Sequence, residues 1–213
     1  MEERGHEHHP TAHRTGFHWL DVSLALSAFF VSLASLWLTI HNARTMEKLV
    51  ASNSYPNLDF GFDNRFDFRD GQGERPAIRL YLVNSGIGPA RLRAIEIGFA
   101  GKPAADLHSL LALCCTQEPA ASLPNTNYWT SGDVRGTMIQ AGKDLTLFAW
   151  PDAPGDPRWA RLEAIRKGAA ASKIGLRVCY CSVFDECYLR DSVRREPERI
   201  GACPVPAVPY TGG

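Results

Sequence analysis

The residues best suited to chemistry are the cysteines of Cys179-Tyr180-Cys181-Ser182-Val183-Phe184-Asp185-Glu186-Cys187. In an extended strand Ile174, Leu176, Val178 and Tyr180 share one face, so Cys179 and Cys181 share the other with Lys173 and Arg177. If the following loop is Ser182 to Glu186, Cys181 faces Cys187 across a hairpin and a disulfide becomes reachable; with a four-residue loop it does not. Cys203, in Gly201-Ala202-Cys203-Pro204-Val205-Pro206, could pin an extended tail to the domain; its spacing names no partner, and if Cys179 pairs at all Cys203 is the candidate. The alternative chemistry is a thiolate metal site on Cys179, Cys181 and Cys187, since Zn or Cu(I) accepts such ligands. The spacing Cys-x-Cys on a strand is not the helix-opening Cys-x-x-Cys of a thioredoxin-like site. A blue-copper site would need a neighbouring His and Met, and the last of each are His108 and Met138. Cys114-Cys115 reads as a buried helix face plus its neighbour, not as a reactive vicinal pair.

Other constellations fall short. Gly86-Ile87-Gly88 begins like a dinucleotide fingerprint, but Arg91 holds the third glycine position and Pro89 leads into a strand. Asp63, Asp67, Asp70 and Gly71 lack the alternating spacing of a calcium loop. His6, His8, His9 and His13 offer imidazoles for a divalent metal or simply a solvated tail. No Ser/His/Asp or Cys/His set can be assembled, so neither enzymatic activity nor a cofactor is expected. The formal net charge is zero and the Arg residues are scattered, which removes the bulk electrostatic reason to expect nucleic acid as a partner.

The elements that must carry these cysteines begin with an apolar run. Leu20 to Ile40 contains no Lys, Arg or Glu, and one acid, Asp21, at its start. That is the length a helix needs to cross roughly 30 Å of hydrocarbon. Trp19 and Trp37, with His18 and His41, lie near its ends, where amphipathic rings favour headgroups. A cleaved signal peptide would have a basic start and a shorter apolar region, whereas Glu2, Glu3 and Glu7 mix with Arg4 and Arg14 here. Ala25, Ala28, Ser32 and Ser35 form a small-residue stripe that would let another helix, from a second copy or a membrane protein, approach closely. Flanking charges are nearly balanced, Arg4 and Arg14 against Arg44 and Lys48. Sidedness therefore rests on the even number of cysteines, all six beyond the span, which suits an oxidising compartment. The expectation is a single-pass anchor in the bacterial cytoplasmic membrane with its soluble domain outside.

Beyond the anchor the pattern is that of strands. Leu58, Phe60, Phe62, Phe66 and Phe68 take even positions while Asp59, Asp63, Arg65 and Asp67 take odd ones, predicting one aromatic and one charged face. Ile78, Leu80 and Leu82 repeat the alternation, and Ile95, Ile97 and Phe99 follow the loop Asn84-Ser85-Gly86-Ile87-Gly88-Pro89-Ala90. Thr137 to Ile139 pairs with Leu145 to Trp150 through Gln140-Ala141-Gly142-Lys143, and Ile174 to Cys181 with Cys187 to Leu189. Two short helices interrupt: one opening at Pro103 with Leu107, Leu110, Leu111 and Cys114 buried, one capped by Asp156-Pro157 with Trp159, Leu162 and Ile165 on one side. Glu118 to Arg135 is predicted as a long loop.

The predicted fold is mainly β: an N-terminal transmembrane helix followed by an immunoglobulin-like antiparallel β-sandwich with two accessory helices. The boundaries are a His-rich tail 1–18, the span 19–41, a helical linker 42–54, the sandwich 55–194 and a Pro-rich tail 195–213.

Three segments carry a resemblance: Asn42 to Val50 with Asn53-Ser54-Tyr55-Pro56, the Asn84 to Ala90 loop, and Cys179 to Tyr188. They resemble a bacterial family of uncharacterised single-pass membrane proteins, over most of the chain from Trp19 to Tyr210. The likeness implies a membrane location and a bacterial source, and no activity. Tyr188 stands where the family pattern has Trp. The function expected is a membrane-anchored interaction module of an envelope complex, with membrane lipid as one partner; the alternative is a Cys-ligated metal or thiol redox module on the same scaffold.

Overall fold

The computed structural model describes residues 18–118, 127–168, 173–194 and 196–212. His6, His8, His9 and His13 lie outside them. The chain divides into two compact units, Met1–Leu49 and Val50–Gly213.

The first unit holds most of helix α1, His18–Ser52. From His18 to Val50 the mean hydropathy reaches 1.9, long and apolar enough for a bilayer, and every side chain in that stretch is exposed within the chain itself. Thirty-five helical residues extend about 52 Å. The hydroxyls do not seek water: Ser32 donates to the Ala28 carbonyl at 2.8 Å and Thr39 to the Ser35 carbonyl at 2.7 Å, with Ser23, Ser27 and Thr45 bonded the same way. Trp37 stacks on His41 one turn on.

The second unit is built from two antiparallel sheets. One runs β1 (Leu58–Asp67), β2 (Glu74–Asn84), β7 (Asp144–Pro151), β5 (Trp129–Thr130). The other runs β10 (Glu198–Ile200), β9 (Cys187–Asp191), β8 (Ile174–Cys181), β3 (Ala90–Phe99), β4 (Lys102–Ala104), with β6 (Met138–Ile139) also on β3. Leu58, Leu80 and Leu82 from the first sheet and Leu92, Ile97, Val178 and Tyr180 from the second belong to one buried cluster. Helices α2 (Leu107–Cys114) and α3 (Pro157–Arg166) close it with Leu107, Leu110, Leu111, Leu162 and Ile165.

Four departures from the sequence expectation have physical causes. The alternation of β1 does not keep one phase: a bulge between Asp63 and Arg65 shifts the register, so Phe66 pairs with Arg75 instead of continuing the inward row of Phe60 and Phe62. Phe66 and Phe68 therefore join Trp129 on the outer face, where the Arg79 guanidinium lies 5.4 Å from the Phe66 ring centre and that of Arg75 4.6 Å from Phe68. Pro103 opens no helix. Ala100 and Gly101, both with positive φ, turn the chain into the β3–β4 hairpin, and α2 starts later at the capping box of Asp106 and Ser109. Within the predicted loop, Trp129–Thr130 adds an edge strand to β7. The two strands either side of Gln140 to Lys143 do not pair with each other; β6 joins one sheet and β7 the other.

Two of the passages from sheet to sheet, β2 to β3 and β6 to β7, meet at one residue. Asn84, fully buried, ties both crossings together. Its Nδ2 donates to the carbonyls of Gly88 at 2.8 Å and Ile139 at 2.9 Å, while its Oδ1 accepts from the amides of Asn57 at 3.2 Å and Gly86 at 3.1 Å. Its backbone bonds Lys143 and Gly142. The loop can lie this close only because its glycines lack Cβ: a methyl on Gly88 would sit 2.0 Å from the Ser54 carbonyl oxygen.

Replacing Asn84 with Ala leaves four groups without their partner, but only the bonds to the Gly88 and Ile139 carbonyls are fully buried, each orphan there worth about 1–3 kcal/mol. The thermal midpoint of the full chain in detergent, followed by near-ultraviolet circular dichroism, should fall by roughly 6–12 °C for a loss of about 3 kcal/mol. A shift of a degree or two would show that the amide is not structural.

Candidate functional site

The candidate site grows from the same end of the second sheet. Strand β8 runs Ile174–Cys181 with Ile174, Leu176, Val178 and Tyr180 buried and Gly175 and Arg177 exposed. The outer face ought to stay wet, yet Cys179 and Cys181 on it are each only 1% exposed. The cover is the C-terminal segment. It leaves β10 beside β9, bonds to Cys179 through Cys203, then reaches the far edge of β3, where the Tyr210 amide donates to the Ile95 carbonyl at 3.0 Å. Thr211 continues to the Ala105 carbonyl, and the Tyr210 ring is buried in the shared core. The predicted tail is thus a strap laid across one sheet and part of the compact unit.

The loop after β8 is Ser182 to Glu186, and the register sets Cys181 opposite Cys187. The turn holds itself: Ser182 accepts from Phe184 and Glu186 amides through Oγ, its amide donates to the Glu186 carbonyl, and Asp185 takes positive φ. Cys181 is bridged to Cys187, and Cys179 to Cys203. The bridges lie side by side, with the Cys181 and Cys203 sulphurs 4.0 Å apart. Cys181, Cys187 and Cys203 Sγ atoms all fall within 4.8 Å of one another.

Charge gathers at this hairpin. Asp185 pairs with Arg91 and, at 3.6 Å, with Arg93. Arg91 is the register partner of Cys181, so the two side chains share the strap-covered face. Its Nε is buried without an acceptor among the described residues. Nothing in the spacing of Arg91 marks it; only the pairing of β3 with β8 brings it here.

On the core side, Tyr55 packs edge-on against Tyr188 at 5.1 Å, and Tyr188 stacks on Tyr180 at 5.8 Å. Burial pushes all three phenols above their ordinary range. Tyr55 also accepts the amides of Ile87 and Gly88. The three segments singled out in the sequence, at Tyr55, at Asn84 to Ala90 and at Cys179 to Tyr188, therefore meet at one place. Comparison with protein-family models, with curated proteins and with solved structures finds no match to this chain.

Cys114 and Cys115 lie elsewhere, and here the structure corrects the sequence reading: they form a vicinal disulfide. Cys114 ends α2 and Cys115 is its C-cap with φ −127° and ψ −5°, so the chain leaves helical geometry between them and the sulphurs meet. Arg161 from α3 donates to the Cys115 carbonyl at 3.1 Å. Among the span residues, Leu20, Asp21, Ala28, Ser32, Ser35, Trp37 and Ile40 all lie in α1.

Loop-closure entropy ranks the two site bridges. Their sequence separations of 6 and 24 residues correspond to about 2 and about 3.5 kcal/mol. Cys203→Ser should therefore lower the thermal midpoint more than Cys187→Ser, and each variant should show one new thiol by mass-spectrometric labelling. Equal midpoints with wild type would mean that the bridges do not hold the strap.

Proposed function

We propose that this chain is a single-pass protein of the bacterial cytoplasmic membrane whose immunoglobulin-like β-sandwich binds a partner protein of an envelope complex, outside the cytoplasm. The anchor reading is supported by the exposed apolar side chains of α1 together with its internally bonded hydroxyls, an arrangement suited to hydrocarbon and wasteful in water. Ala28, Ser32 and Ser35 supply the stripe along which a second span can pack. The immunoglobulin-like reading is supported by strand order: β1-β2-β7-β5 against β9-β8-β3 follows the A-B-E-D and G-F-C order of that fold.

The observation that carries partner binding is at the sheet-crossing end. Ile87 on the β2–β3 loop and Val183 and Phe184 on the β8–β9 hairpin are 64%, 46% and 49% exposed on rigidly tied turns. Apolar tips held in fixed geometry make a low-entropy contact surface. A second reading, a Cys-ligated metal or thiol redox module, is favoured by the three mutually close sulphurs of Cys181, Cys187 and Cys203, with Cys179 bonded to the last.

The test uses native membranes. The chain should resist extraction by carbonate and, after mild detergent, migrate on a native gel in an assembly larger than itself. Ile87→Asp with Phe184→Asp should reduce it to its own size without changing its thermal midpoint. Release by carbonate would overturn the anchor, and an unchanged assembly would overturn the role of the tips.

A further inference from the structure

The geometry points to a redox-gated zinc site formed by Cys179, Cys181, Cys187 and Cys203. It deepens the second reading above and is independent of partner binding. When oxidised, the four sulphurs are two disulfides. When reduced, three of the thiols already lie within 4.8 Å of one another and the fourth, Cys179, is beside Cys203, and the four close on one Zn²⁺ as a tetrathiolate.

A Zn–S bond is about 2.3 Å, so the sulphurs of a tetrahedral site lie about 3.8 Å apart. The sulphurs of Cys181 and Cys203, which belong to different bridges, are already 4.0 Å apart. Reduction converts the two bonded contacts into non-bonded ones, moving them towards the same spacing. The donors come from three segments, β8, β9 and the strap, so the metal would take over the tethering that the bridges perform. Cys179, Cys181 and Cys187 are 1%, 1% and 8% exposed, the enclosure of a structural site with no open position for water.

A zinc tetrathiolate carries two negative charges and needs donors around its sulphurs. Arg91 meets that need. It is cross-strand from Cys181, and its buried Nε–H has no acceptor among the described residues. Neutral disulfides give that N–H nothing comparable to bind, whereas thiolates do.

The chemistry balances with a dithiol reductant. Two dithiols transfer four electrons and four protons to the two S–S bonds, giving four cysteine thiols and two oxidised dithiols. Binding Zn²⁺ then releases four protons to solvent. Cys114 and Cys115 are bonded to each other and do not belong to the cluster, so they stay outside the site.

The experiment takes the full chain in detergent, reduced with an excess of a phosphine under nitrogen and titrated with Co²⁺ and then Zn²⁺. The expected result is one Co²⁺ per chain with the absorption of a tetrahedral thiolate complex, displaced by Zn²⁺, and no uptake by the oxidised chain. Maleimide should label all six cysteines of the reduced chain without metal and only Cys114 and Cys115 with zinc. Cys203→Ser should weaken zinc on the order of tenfold or more, since even outer-shell changes reach that size, while Cys114→Ser leaves it unchanged. Arg91→Gln should also weaken zinc. Failure of the reduced chain to bind either metal, unchanged labelling with zinc, or wild-type affinity in Cys203→Ser would overturn the proposal. Loss of the native-gel assembly would not bear on it.

Discussion

One buried amide governs this architecture. Asn84 satisfies all its polar groups where the chain passes from one sheet to the other, and passes again fifty-odd residues later. A crossing strand end exposes backbone groups that no ladder can pair, and burying them unpaired is costly. Asn84 resolves the problem for both crossings with one side chain. The geometry of the site follows: β3 starts at Ala90, so its partner β8 must end nearby, and the Cys181–Cys187 hairpin emerges beside the glycine loop.

The strap is the second constraint. Without it the outer face of β8 would be wet along its length, as it is at Gly175 and Arg177. Covering Cys179 and Cys181 takes a covalent tether at Cys203 and a hydrogen-bonded, core-inserted end at Tyr210. Between those two anchors Val205 points to solvent while Pro206, Val208 and Pro209 are half-buried. That makes the cysteine cluster a joint between strap and sheet, sensitive to whatever changes the state of its sulphurs.

Much of this was legible in the sequence, and the failures have reasons. Alternation located β1, β2, β3 and the first half of β8, where one face is mainly buried; it could not see the bulge at Asp63 and Arg65, since period two carries no information about register. Pro103 misled because a first-turn proline and an edge-strand proline look alike until the positive φ of Ala100 and Gly101 is known. The loop length set the register of Cys181 against Cys187, whereas the Cys114–Cys115 bridge depends on the dihedral angles of a helix end that no spacing rule encodes. Tyr210 was hidden by its neighbours: Pro and Gly around it read as a solvated tail, and a single aromatic among them has no periodicity to reveal it. Asn84 was visible only as the first residue of a turn, since its partners lie 27 and 55 residues away.

Asn84 binds the two sheet crossings into the cooperative core, and native-state hydrogen exchange reads that directly. The amides of Asn57 and Gly86, which have no ladder partner and donate to the Asn84 side chain, should exchange only through global unfolding, with the same free energy as the amides of β2 and β7. Exchange of Asn57 and Gly86 at rates typical of open loops, with β2 and β7 still protected, would contradict it.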